Sequence, residues 1–131
     1  MKQLPGYVLF LLLSVSALGA HAQHSLAGTA WQGTALVPER TAVVFQFKRD
    51  TVYMYEQASR AVLETMVYST NAHQLTWRKV SGGSPCDPKV SGTYAYRIDK
   101  DRLFLTLVND ACDARRVLNG ESFKKVIWPT P

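Results

Sequence analysis

Thr41-Ala42-Val43-Val44-Phe45-Gln46-Phe47-Lys48, then Arg49-Asp50, then Thr51-Val52-Tyr53-Met54-Tyr55-Glu56 is the stretch on which the fold turns. Val43, Phe45 and Phe47 fall on one side of the first segment and Val44, Gln46 and Lys48 on the other, the period of two that an extended strand imposes. Arg49-Asp50 is short enough for a tight turn. Residues 51–56 then resume the alternation, with Val52 and Met54 opposing Tyr53 and Tyr55.

The same character spreads in both directions. Upstream, residues 28–37 form a first strand carrying Trp31 and ended by Pro38, whose missing N–H suits a strand end. Downstream, residues 59–69 fit a strand or one amphipathic helix. The strand is preferred because Val62, Thr65, Val67 and Tyr68 lose rotamer freedom in a helix and pack well on a sheet. Asn71-Ala72 makes a turn, and residues 73–80 set Leu75 and Trp77 against Gln74, Thr76 and Arg78. The glycines and prolines of residues 81–88 specify a surface loop. Residues 92–98 alternate Tyr94, Tyr96 and Ile98 against Thr93, Ala95 and Arg97, and a turn at residues 99–101 leads into residues 103–108, where Leu103, Leu105 and Leu107 are core-facing. Residues 109–120 are the one partly helical segment, with Asp110 as its cap and Asn119-Gly120 as its stop signal. A last strand covers residues 121–128 before Pro129 and Pro131. These short segments recur as in a sandwich or barrel. About eight strands result, the number at which a sheet of this length closes on itself and loses its edges. The expected fold is therefore a small antiparallel all-β barrel with a short helical turn before the last strand.

The chain has 131 residues, room for one domain. Its start reads as an export signal: Lys2, an apolar run over residues 8–13, then Ala20-His21-Ala22 with small residues where a signal peptidase reads. An uncleaved anchor is the alternative, but the apolar run falls short of the roughly 20 residues a bilayer span needs. Cleavage after Ala22 leaves one domain over residues 23–131, secreted or periplasmic, with no transmembrane anchor. Cys86 and Cys112 form an even count in an oxidising compartment and are read as a disulfide, free thiols being the alternative.

The formal charge of +5 is carried in scattered doublets such as Lys48-Arg49, Arg78-Lys79, Arg115-Arg116 and Lys124-Lys125. Such spacing describes solvated strand faces, and together with export it speaks against a nucleic-acid partner. His24 and His73 lack metal-ligand spacing from a cysteine or carboxylate cluster. Asp87, Asp110 and Asp113 flank the cysteines, and turn or cap roles explain them more simply than a cation site or paired carboxylates. No Gly-x-Ser-x-Gly nucleophile motif and no glycine-rich phosphate loop is present. The expectation is a non-enzyme without metal or cofactor.

Leu26-Ala27-Gly28-Thr29-Ala30-Trp31 opens the first strand much as lipocalins and other calycins open theirs. Ser84-Pro85-Cys86-Asp87, Gly92-Thr93-Tyr94, residues 103–108 and Asp110-Ala111-Cys112-Asp113-Ala114-Arg115 resemble the C-terminal half of bacterial lipocalin-like extracytoplasmic proteins, in which Asp-x-Cys-x-x-Arg precedes the closing strand. The spacing here is Gly-x-x-Trp where the lipocalin signature has Gly-x-Trp. What the resemblance implies is an up-and-down barrel with a mouth at one end, and Arg115 or Arg116 packed across Trp31 to close the bottom.

Aromatics carry the most functional content. Phe45, Phe47, Tyr53, Tyr55, Trp77, Tyr94 and Tyr96 are candidate barrel-lining residues, with Arg97 as an anionic anchor. They line a pocket in a wide barrel and fill the core of a narrow one; eight-stranded barrels occur in both states. Two functions follow. The first is an exported protein holding a small hydrophobic or amphiphilic ligand in the barrel. The second is an envelope-associated interaction or inhibitor module that works through the disulfide-pinned loop 81–88.

Overall fold

A computed structural model describes residues 25–129, in which the alternating segments become eight strands. These are β1 (Ala30–Leu36), β2 (Arg40–Phe47), β3 (Thr51–Glu56), β4 (Val62–Asn71), β5 (Gln74–Gly82), β6 (Ser91–Asp99), β7 (Arg102–Asp110) and β8 (Ser122–Val126), with one helical turn, α1 (Asp113–Arg116), before β8. Each strand pairs antiparallel with its sequence neighbours, and β1 also pairs with β8, so the sheet closes as an up-and-down barrel. The segment that allowed helix or strand is β4. Residues 1–22, expected as an export signal, the expected cleavage site after Ala22 and His24 lie outside the described residues.

The pleat sends Trp31, Val43, Phe45, Phe47, Val52, Met54, Met66, Leu75, Trp77, Tyr94, Leu103, Leu105 and Phe123 into one interior cluster. Their rings meet one another: Phe45 lies 5.7 Å from Trp77 and 5.6 Å from Phe123, and Trp77 lies 6.2 Å from Phe47 and 6.0 Å from Tyr94. Burying each large side chain contributes about 1.5–3 kcal/mol, and each ring pair adds about 0.5–1.5 kcal/mol. Gly33 makes this packing fit. A Cβ there would stand 2.0 Å from Phe123 Cδ1, so the missing side chain is the space the ring occupies.

Three register shifts set what faces inward. One extra residue enters β4 at Leu63, β5 at Val80 and β7 at Val108. In β7 the consequence is large. Strict alternation after Leu103, Leu105 and Leu107 would put Asn109 inside, whereas the bulge leaves Asn109 exposed and buries Asp110.

The antiparallel order gathers the β1–β2, β3–β4, β5–β6 and β7–β8 connections at one end of the barrel. There the β5–β6 loop and α1 are tied together by the disulfide between Cys86 and Cys112. The far end is closed by Leu26, which is fully buried, and by backbone bonds from Gly28 N to Phe47 O and Phe47 N to Thr29 O.

Candidate functional site

Under the tied end lies a polar cluster that strand alternation alone does not reveal. Asp110, turned inward by the β7 bulge, accepts four hydrogen bonds: Oδ2 from Arg115 Nε at 2.6 Å and the Tyr94 hydroxyl at 2.6 Å, Oδ1 from Arg115 Nη2 at 2.9 Å and Cys112 N at 2.9 Å. The two side chains are 0% and 4% exposed, so this is a buried, bidentate ion pair. Burial by itself would raise the Asp110 pKa, but the bonds from Arg115, Tyr94 and Cys112 and the guanidinium charge outweigh it and hold the carboxyl below its usual range. Tyr94 is pushed far upward by burial and by the carboxylate it serves. Gly92, opposite Asp110 in the β6–β7 ladder, leaves the room: a Cβ there would stand 2.2 Å from Asp110 Oδ2.

A second carboxylate, Glu64 of β4, is also buried. It accepts a hydrogen bond from Ser84 Oγ, and Lys79 Nζ donates to the Ser84 carbonyl at 2.6 Å. Burial pushes the Glu64 carboxyl up, opposed by the Ser84 hydroxyl and the charges of Lys79 and Arg115. Arg115 Nη2 also donates to Val90 O at 3.0 Å, and Gly83 N to Leu63 O at 3.0 Å. Between these anchors the loop exposes Pro85, Asp87, Pro88 and Lys89 while burying Ser84 and Cys86. Asp87 Oδ1 accepts from Lys89 N at 2.8 Å, the turn role expected of it.

The space beneath the loop amounts to about 20 Å³ and is partly open to solvent, bounded by Phe45, Met54, Glu64, Met66, Arg115 and Leu118 among others. That volume holds one water. Ligand pockets for drug-sized molecules run to about 300–1,000 Å³, so the interior is a filled core.

Of the sequence candidates, Phe45, Phe47, Trp77, Tyr94 and Tyr96 do point inward, as packing. Tyr53, Tyr55 and Arg97 do not line the barrel. In β3 the aliphatic pair Val52 and Met54 takes the interior, and the tyrosines face out, where the Tyr55 hydroxyl donates to Gln46 Oε1 at 3.2 Å and its ring meets Trp128 at 5.5 Å. Arg97 is on the outer face of β6, stacked over Phe104 at 4.2 Å and 3.6 Å from Asp99. Neither arginine packs across Trp31. Arg115 is taken by Asp110, Arg116 sits at the surface 3.6 Å from Asp113, and Trp31 Nε1 donates to Thr29 Oγ1 at 2.8 Å. Asp110 is not the helix cap either, since α1 is preceded by Cys112 with no side-chain cap bond. Sequence reasoning missed Glu64, Ser84 and Lys79. It did single out the spacing Asp-x-Cys-x-x-Arg, which holds both halves of the ion pair, but gave the arginine a different partner.

Among the described residues no group of three or more His, Cys, Asp or Glu is placed to hold a metal ion, and no helix is long and apolar enough to cross a membrane. Comparison with protein-family models, curated proteins and solved structures found no match. The barrel has the strand number and order of a lipocalin-like fold.

Proposed function

We propose that the protein is an exported, non-enzymatic binding module that engages an envelope or extracellular protein through the β5–β6 loop, residues 83–90 once β5 has taken residues 81 and 82 of the expected loop 81–88, with the barrel as its rigid support. The observation that carries this reading is the contrast between a filled interior and a loop whose buried anchors, Ser84 and Cys86, alternate with exposed Pro85, Asp87, Pro88 and Lys89. A loop fixed before binding loses less conformational entropy on docking, and loops on rigid scaffolds commonly carry recognition. The disulfide agrees with an oxidising compartment.

The test exchanges Pro85, Asp87, Pro88 and Lys89 for Gly or Ser while leaving Ser84 and Cys86 in place. Pull-downs from envelope extracts with the variant and the parent are then compared. Partners retained in full by a folded variant would remove the proposal.

A second reading keeps a small hydrophobic ligand in the barrel. It draws on the adaptable walls Met54 and Met66 beneath the loop, and it requires the tied loop and α1 to move aside. Titration with fatty acids, retinoid-like probes and haem checks it. Saturable quenching of the interior tryptophans supports it, and unchanged emission with all three excludes it.

A further inference from the structure

The gap under the loop is unlike a packing defect, because two of its walls are ionisable. Phe45, Met54, Met66 and Leu118 make it apolar, while Glu64 reaches it from β4 and Arg115 from α1. Arg115 spends Nε and Nη2 on Asp110, so the planar guanidinium directs Nη1 away from that carboxylate. Nη1 is fully buried and has no hydrogen-bond partner among the described residues. A charged donor left without an acceptor inside a protein is expensive and calls for an occupant. Glu64 does not supply it, since Arg115 pairs with Asp110 and Glu64 accepts from Ser84.

The charges around the gap decide what that occupant is. Lys79 faces Glu64 from β5 and Arg115 from α1, with Asp110 of β7 behind the arginine; the walls supplied by β1, β2 and β3 are apolar. With Glu64 ionised, two cations and two carboxylates balance. With Glu64 protonated, one positive charge is left over, and the free donor is Nη1. We propose that this cavity is a binding site for one monoanion of halide size, held by Arg115 Nη1 and admitted as Glu64 takes up a proton. No bond to the anion forms or breaks beyond the hydrogen bond, and uptake of the proton with the anion keeps the cluster neutral. The volume, about 20 Å³, is of the size of one such ion and smaller than a carboxylate-bearing metabolite. Apolar walls with two polarisable thioethers favour a weakly hydrated anion over a strongly hydrated one. Burial already holds the Glu64 carboxyl above its ordinary range, which places the exchange on the same side.

Bromide is the probe. Crystals of the oxidised protein soaked in bromide at about pH 5 and about pH 8 should show an anomalous peak beside Arg115 Nη1 at the lower pH and a weaker one, or none, at the higher. In solution, bromide affinity followed by bromine-NMR line width should fall about tenfold per pH unit above the Glu64 titration, the slope for one linked proton. Glu64→Gln should bind bromide with that slope removed. A cavity that holds only water at both pH values overturns the proposal, as does a bromide affinity in the parent protein that ignores pH. If the variant fails to fold, the pH series on the parent decides alone.

Discussion

Replacing Asp110 with Asn tests the structural role assigned to the buried ion pair. The carboxylate has four donors converging on two oxygens, and among the described residues Arg115 has no other acid within ion-pair distance. Asparagine keeps one acceptor oxygen and turns an NH₂ toward donors that need an acceptor. It also leaves a guanidinium that is 4% exposed without its counter-charge. Breaking one side of such a pair costs about 3–5 kcal/mol, against a net stability of about 5–15 kcal/mol for a domain. At about 4–8 °C per kcal/mol for a domain near this size, the melting temperature should drop by between about 12 and 40 °C. Thermal unfolding with the disulfide intact measures that drop, and urea unfolding the free-energy loss. The acid limb carries a second signature: the folded-state pKa of Asp110 lies below its ordinary 3.8, so the stability it contributes is present above that value and lost as pH falls through the folded one. Asp110→Asn should flatten that limb. The double change Asp110→Leu with Arg115→Met removes both charges and should recover most of the loss. A single substitution costing under about 1 kcal/mol would refute the reasoning, because a surface pair behaves that way and a buried one does not.

Gly92→Ala drives a methyl into Asp110 Oδ2 and within 2.9 Å of Arg115 Nε, atoms that are already locked; a loss of about 3 kcal/mol, the upper end for overpacking, is expected in urea, and an unchanged midpoint would show that the pair yields freely. Glu64→Gln should gain on the parent as pH rises: the folded protein holds this proton more tightly than the unfolded chain, so stability is full below the ordinary 4.5 and declines as pH climbs through the raised value. A parent–variant difference that stays constant across that range argues against a buried carboxyl. Changing Cys86 and Cys112 together to Ser releases a loop closed over 26 residues and should cost about 3.5 kcal/mol on the chain-entropy estimate; amide exchange should rise first in residues 83–90, and uniform protection there would contradict the disulfide as the loop's main tether.

The strands were legible because their interior faces are apolar on every second position. Val43, Phe45 and Phe47, then Val52 and Met54, then Leu75 and Trp77, each point as the period of two requires. The choice of face was harder where both sides of a strand are apolar. In β3 the tyrosines look as core-worthy as Val52 and Met54, and the preference is settled by hydroxyls that find Gln46 or solvent on the outside. Glu64 was passed over for the opposite reason. It continues the inward row of Met66, but a charge in a strand is ordinarily assigned to water. Asp110 was hidden by an inserted residue, since a single bulge at Val108 reverses every assignment beyond it and leaves no trace in a count of alternating residues. The phase slip is detectable in retrospect, because Leu107 is followed by an acid that belongs to the same face three positions on.

These same two acids explain how a filled barrel can fix the shape of a surface loop. Asp110 orients Arg115, whose Nη2 holds the Val90 carbonyl at the end of the loop. Glu64 takes the Ser84 hydroxyl at its start, with Lys79 on the Ser84 carbonyl, and Cys86 is bonded to Cys112 between them. Three elements of the barrel thus hold three points of one loop. Pro85, Pro88 and the Lys89 side chain belong to none of these anchors, and the Asp87 side chain serves only its local turn. Such a division lets the exposed residues change without loss of fold and lets interior changes alter the loop without touching its surface. Asp110→Asn should therefore weaken any loop-borne interaction even under conditions where the protein remains folded, whereas Tyr53→Ser, on the outer face of β3 and outside the hydrogen bonds of all three anchors, should leave it intact.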